Sequence, residues 1–173
     1  GGRIGQDRLV ESNDLVGERE VFLFQVVVDD DLLDGIVDIY LPDFKFWSAD
    51  TAARLAGAPD YPERARAALV EMHRQVGPLK IGPDGLARRG LLLRHLVMPG
   101  QLDETAAIVE FVANELSPDT AVHLMGQYRP SHQVGTAGID GKPRFTDIHR
   151  RTSPDELRAA YELAKSAGLW RLL

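Results

Sequence analysis

Helix signatures with their own start and stop signals alternate along the chain with short apolar runs, and this alternation constrains the fold more than any other feature. "DYPERARAALVEMHRQVG" places Asp60 as N-cap, Pro62 in the first turn and Glu63 at the capping-box position. Ala65, Ala68, Leu69, Met72 and Val76 then follow at helical spacing, with Gly77 as the stop. "DETAAIVEFVANEL" predicts a helix capped by Asp103, with Ile108, Phe111, Val112 and Leu116 on its buried side. "SPDELRAAYELAKSAG" carries Ser153 as cap, Pro154, Glu156 completing the box, and Gly168 as terminator. A shorter helix lies between Ser48 and Gly57, and "LLDG" reads as a helix end stopped by Gly35.

Between these lie "IVDIYLPDF", "LLLRHLVMPG" and "AVHLMGQY", read as strands near 36–41, 90–97 and 121–127. The second is so continuously apolar that burial on both faces is expected. "GPDG" is a turn, 129–144 a Gly- and Pro-rich loop, and "LWRLL" a short terminal strand or tail. Strand–helix alternation predicts an α/β fold, a parallel sheet with crossover helices. The chain's 173 residues fall short of a full eightfold barrel, which takes about 250. An open doubly wound sheet and part of a (βα) TIM-like barrel both remain, and in both the chemistry gathers at the C-terminal strand ends.

Other features exclude function classes. The formal charge of −6 gives no support to nucleic-acid binding, and no apolar run reaches the ~20 residues of a membrane helix. No signal-peptide layout opens the chain, so a cytoplasmic protein with no membrane partner is expected. There is no cysteine, hence no disulfide, thiol nucleophile or thiolate-held metal from this chain. The five histidines, at 73, 95, 123, 132 and 149, lack metal-pair spacing, so no metal site is predicted.

The polar residues at the strand ends are the candidates. Asp43 and Lys45 share a strand face with Val37, Ile39 and Leu41. Arg94 interrupts the second apolar run, where an unpaired buried charge would cost several kcal/mol. The third run ends in Gln127, Tyr128 and Arg129. As residues alone, Asp43, Lys45 and Arg94 equally suit a structural ion-pair network at the sheet rim. His95 and Tyr128 are expected to serve packing, and Arg88–Arg89 a solvated turn.

From "LLDGIVDIYLPDFKFW" through "DYPERARAALVEMHRQVG", "GLARRGLLLRHLVMPG" and "VHLMGQYRP" to the final "AGL", residues 32–173 resemble the C-terminal half of radical SAM proteins similar to pyruvate formate-lyase activating enzyme. The resemblance implies a partial (βα) barrel, a [4Fe-4S] cluster, and S-adenosylmethionine cleaved reductively to a deoxyadenosyl radical. It also implies a glycyl-radical-type partner protein as hydrogen donor. Carried over, Asp43, Lys45 and Arg94 would contact S-adenosylmethionine, and Arg129 would add a further polar contact where the family usually has another residue type. Catalytic residues are not assigned.

The chain departs from this pattern at the cluster, because the family's CxxxCxxC loop has no counterpart among its residues. Arg3 follows Gly1–Gly2 where the family's Gly-Gly-Glu motif has an acid, and residues 1–31, with "VFLFQVVVDDD", match no part of it. The cluster is therefore not expected in this chain, which reads as a partial barrel domain inactive by itself, preceded by a truncated or altered upstream frame. Two alternatives stand beside this one. The first is a non-catalytic binding or interaction module, or a truncated remnant. The second is an aldolase-type barrel with Lys45 forming a Schiff base and Asp43 shuttling the proton.

Overall fold

A computed structural model describes residues 33–173. The N-terminal stretch 1–31, with its Gly-Gly-Arg start and its apolar run, lies outside the described residues, as does Leu32 of the "LLDG" signal.

The chain is mixed α/β. Its elements are β1 (Ile39–Tyr40), α1 (Ala49–Ala56), α2 (Tyr61–Val76), β2 (Lys80–Ile81), β3 (Ala87–Leu96), α3 (Leu102–Phe111), β4 (Ala121–Met125) and α4 (Pro154–Ser166). A π-helical turn, Val112–Leu116, prolongs α3, and a 3-10 turn, Thr146–Ile148, precedes α4. β3 is the spine of a small open sheet. It pairs in parallel with β1 (Ile39 opposite Gly90) on one side and with β4 (Arg94 opposite His123) on the other. β2 folds antiparallel onto the first residues of β3, so the sheet is mixed at that corner. The terminal residues add one isolated parallel bridge, Leu172 to Val122, rather than a full strand: the Val122 amide donates to the Arg171 carbonyl, and the Leu173 amide to that of Val122. Gly90, at φ +126°, sits where β2 begins, and a Cβ there would come within 2.5 Å of Leu79 Cα and the Pro78 carbonyl.

Every long helix among the described residues packs on one face of this sheet. Leu91, Leu93 and Val97 of the β3 segment and Val122 and Leu124 of β4 meet Leu69 and Met72 of α2, Ile108 and Val109 of α3, and Ala160 and Ala164 of α4. The alternate residues Leu92, Arg94 and Leu96 are only half-buried, so β3 is not covered on both sides as its composition suggested. Its second face, with Leu92 and Leu96 on either side of Arg94, is not enclosed by the described residues. A smaller cluster of Phe46, Ala52, Leu55, Met98 and Ile148 closes the end where Leu96 lies.

The caps divide. Ser48 accepts from the Thr51 amide and Gly57 takes the left-handed conformation, while Ser153 and Glu156 form the predicted capping box. Asp60 and Asp103 do not cap. Asp60 stands at the N-cap of α2 with helical dihedrals and no side-chain cap, its carboxylate drawn to Arg64 at 2.7 Å, so no box forms with Glu63. The N-cap of α3 is Gln101, placing Asp103 inside the first turn. Gly35 ends a turn at 33–36, and the first strand narrows to Ile39–Tyr40 because Pro42 brings no N–H to the ladder. It resumes at Asp43, which bridges to Arg94.

Candidate functional site

The sheet's second face is built by alternation. Along β1 and its continuation Tyr40, Pro42, Phe44 and Phe46 turn inward and are buried, leaving Ile39 and Leu41 exposed and Asp43 and Lys45 half-buried on the other side. The Asp43–Arg94 bridge puts these two on one face. The register of β3 with β4 adds His123 beside Arg94. Three sequence candidates thus come together with a fourth residue, His123, whose place the sequence hid because only the strand register reveals it.

Asp43 lies between the two cations. Its Oδ1 is 2.6 Å from Arg94 Nε and its Oδ2 is 3.7 Å from Lys45 Nζ. The Arg94 contact is ionic and lacks hydrogen-bond directionality, leaving both atoms without a directional partner among the described residues. The Arg94 side chain is about a third exposed and shows no other ion pair among the described residues. Arg129 stands apart. It is exposed beyond the end of β4 with no ion pair among the described residues, and is not drawn into the Asp43–Arg94 group.

The backbone beneath Asp43 and Lys45 is heavily bonded. The Phe44 amide donates to the Arg94 carbonyl, and the Arg94 amide to that of Pro42, both at 2.9 Å. The Lys45 amide donates to the Tyr61 hydroxyl at 3.0 Å, and that hydroxyl donates to the Asp43 carbonyl at 3.2 Å. Burial pushes the Tyr61 phenol well above its ordinary pKa; the Lys45 amide opposes this, and the Asp43 charge adds to it. From β3, His95 reaches the other way, fully buried on the helix side as a packing residue should be. Its Nδ1 lies 2.7 Å from the Phe44 carbonyl and its Nε2 2.9 Å from Thr105 Oγ1. A carbonyl only accepts, so Nδ1 carries the proton and Nε2 accepts from Thr105. Burial holds the imidazole below its usual pKa, outweighing the Phe44 carbonyl and the Glu104 charge, which favour protonation. Tyr128 packs in the smaller cluster and donates to the Ile148 carbonyl, a structural role also expected of it.

The next residues, Trp47 and Ser48, are held by a carboxylate from α3. Glu104 accepts from the Trp47 amide, from the Ser48 amide at 3.0 Å and from Ser48 Oγ at 2.6 Å. Among the described residues, no group of three or more His, Asp or Glu side chains could hold a metal ion, and no helix is long and apolar enough to cross a membrane.

No family model matches the chain, and no solved structure matches it. An uncharacterized protein of Methanocaldococcus jannaschii is 30% identical over 139 residues, which is 80% of this chain and 34% of that protein. The chain therefore spans about a third of the length of the curated relative it matches.

Proposed function

We propose that residues 33–173 form part of a (βα) barrel of the radical SAM type, and that its open face contributes polar contacts to S-adenosylmethionine. What supports this is the one-sidedness of the sheet. A doubly wound sheet carries helices on both faces, whereas barrel strands carry helices outside and present their other face to the ligand cavity. Here α2, α3 and α4 share one face, and the opposite one holds Asp43, Lys45 and Arg94.

The donor set suits a zwitterionic amino-acid ligand. The outer guanidinium edge of Arg94 and the Lys45 ammonium would meet its carboxylate, while Asp43 would accept from its ammonium or from ribose hydroxyls. When bound, S-adenosylmethionine would supply a cleavable sulfonium. The other group the resemblance implies does not fit. A [4Fe-4S] cluster needs thiolates, and this sequence contains none, so no step is assigned to a cluster on these residues. Hydrogen abstraction from a glycyl-radical-type partner protein remains the activity the resemblance implies for a complete enzyme, with this chain inactive alone.

A non-catalytic module is the second reading. The 2.6 Å contact between Asp43 and Arg94 favours it, since a pair that already neutralises itself also serves as a rim ion pair. Calorimetric titration with S-adenosylmethionine separates the two, run beside the Lys45→Ala/Arg94→Ala double variant. Exposed charge pairs bind weakly, so a dissociation constant of about 1 mM, lost in the variant, is expected. Equal heats from both proteins would leave the module reading.

A further inference from the structure

We propose that Tyr61 and His95 are positioning residues. They clamp the strand end Asp43–Lys45 from two sides, so that the Asp43 and Lys45 side chains are presented on the open face in one fixed arrangement. The geometry rests on four backbone groups, each with a named partner. Tyr61 binds the Asp43 carbonyl and the Lys45 amide through a single hydroxyl, at 3.2 and 3.0 Å. His95 binds the intervening Phe44 carbonyl at 2.7 Å, and β3 takes the Phe44 amide at 2.9 Å.

These bonds replace what a regular strand lacks here. Past the Asp43–Arg94 bridge the chain leaves the ladder, and of the four groups the sheet satisfies only the Phe44 amide. The partners come from separate elements. Tyr61 opens α2, and His95 is itself braced by Thr105 of α3. The strand end is thus tied to two helices and to β3. Alternation then forces the consequence: with Phe44 fixed inward at 0% exposure, the residues on either side of it must face outward. A side chain held by its own backbone in this way loses less freedom when a ligand binds. That the ligand is S-adenosylmethionine rests on the function proposed above; the clamp itself does not.

Tyr61→Phe tests the clamp. The ring keeps its contacts with Phe44 and Phe46, at centroid distances of 6.4 and 5.9 Å, and only the hydroxyl is lost. Amide hydrogen exchange should accelerate at least about tenfold at Phe44 and Lys45, while Leu93 and Leu124 in the sheet keep their rates. His95→Leu should act likewise. His95→Asn, which keeps a donor near the Nδ1 position, should stay close to the parent rate. Binding of S-adenosylmethionine, measured on the same proteins, should weaken by about tenfold in Tyr61→Phe. Accelerated exchange with no binding to any of the proteins, the parent included, would support the clamp and remove the cofactor reading. Unchanged exchange in both Tyr61→Phe and His95→Leu would overturn the clamp, as would parent-like affinity in Tyr61→Phe when the parent binds.

Discussion

Replacing Glu104 should loosen the end of the strand that carries the candidate site, and the size of the effect follows from its bonds. The residue is 8% exposed, and its carboxylate accepts from the Trp47 amide, the Ser48 amide and Ser48 Oγ at the N-terminus of α1. An anion there also meets the positive end of that helix. A hydrogen bond to a charged group contributes about 1.5–3 kcal/mol, and donors left buried without a partner cost about 1–3 kcal/mol. These terms overlap and water recovers some of them, so Glu104→Ala should cost roughly 3 kcal/mol and Glu104→Gln about 1–2 kcal/mol. With a urea slope of about 2 kcal/mol/M, the midpoints should fall by about 1.5 M and about 0.7 M. Burial raises the Glu104 pKa, but the bonds from Ser48, Thr51 and Trp47 outweigh it, and the net shift is downward. The contribution is then complete above the ordinary glutamate pKa and disappears as pH falls through the lower folded value. The gap between parent and Glu104→Gln should hold from neutral pH to mildly acidic pH and close at strongly acidic pH. A loss for Glu104→Gln no larger than for Glu110→Gln, an exposed position on the same helix, would refute the reasoning. So would a gap that persists undiminished in acid.

Gly90→Ala should destabilise by more than about 3 kcal/mol in the same urea assay, since its Cβ meets backbone at 2.5 Å and its φ is positive. His95 is held neutral, so its contribution should be complete above the ordinary histidine pKa and decline as pH falls below it. His95→Asn should flatten that part of the stability–pH curve. His123→Ala should leave stability within about 0.5 kcal/mol and, if the open face takes a carboxylate, weaken its binding measurably by calorimetry. Anaerobic reconstitution with iron and sulfide should give no [4Fe-4S] absorbance, and a stable brown protein would overturn the ligand argument.

Local signals carried much of this architecture in the sequence. Ser153, Pro154 and Glu156 are neighbours in the chain, and their box forms as read. Asp60 shows where such reading stops. The residue type suits a cap, but Arg64, one turn on, competes for the same carboxylate. The strand β3 concealed its two environments because Leu92 and Leu96 on the open side are as apolar as Leu91 and Leu93 inside. At the site, Asp43, Lys45 and Arg94 were visible as charges at strand ends. Tyr61, His123 and Glu104 depend on contacts 16 or more residues away, or on register, and nothing local marks them. Tyr61 in particular reads as the residue before a helical proline.

The sheet described above has borders of unequal kind. Among the described residues its lateral edges are brief: Ile39–Tyr40 at one side and the single Leu172 bridge at the other. Short edges of this sort discourage indiscriminate self-assembly. The broad side is different, with Leu41 and Leu173 half or more exposed around a set of fixed charges. Strand pairing at the edges would complete a barrel, whereas a ligand or partner is met on the broad side. There side-chain shape and charge, not backbone pairing, decide which partner is accepted.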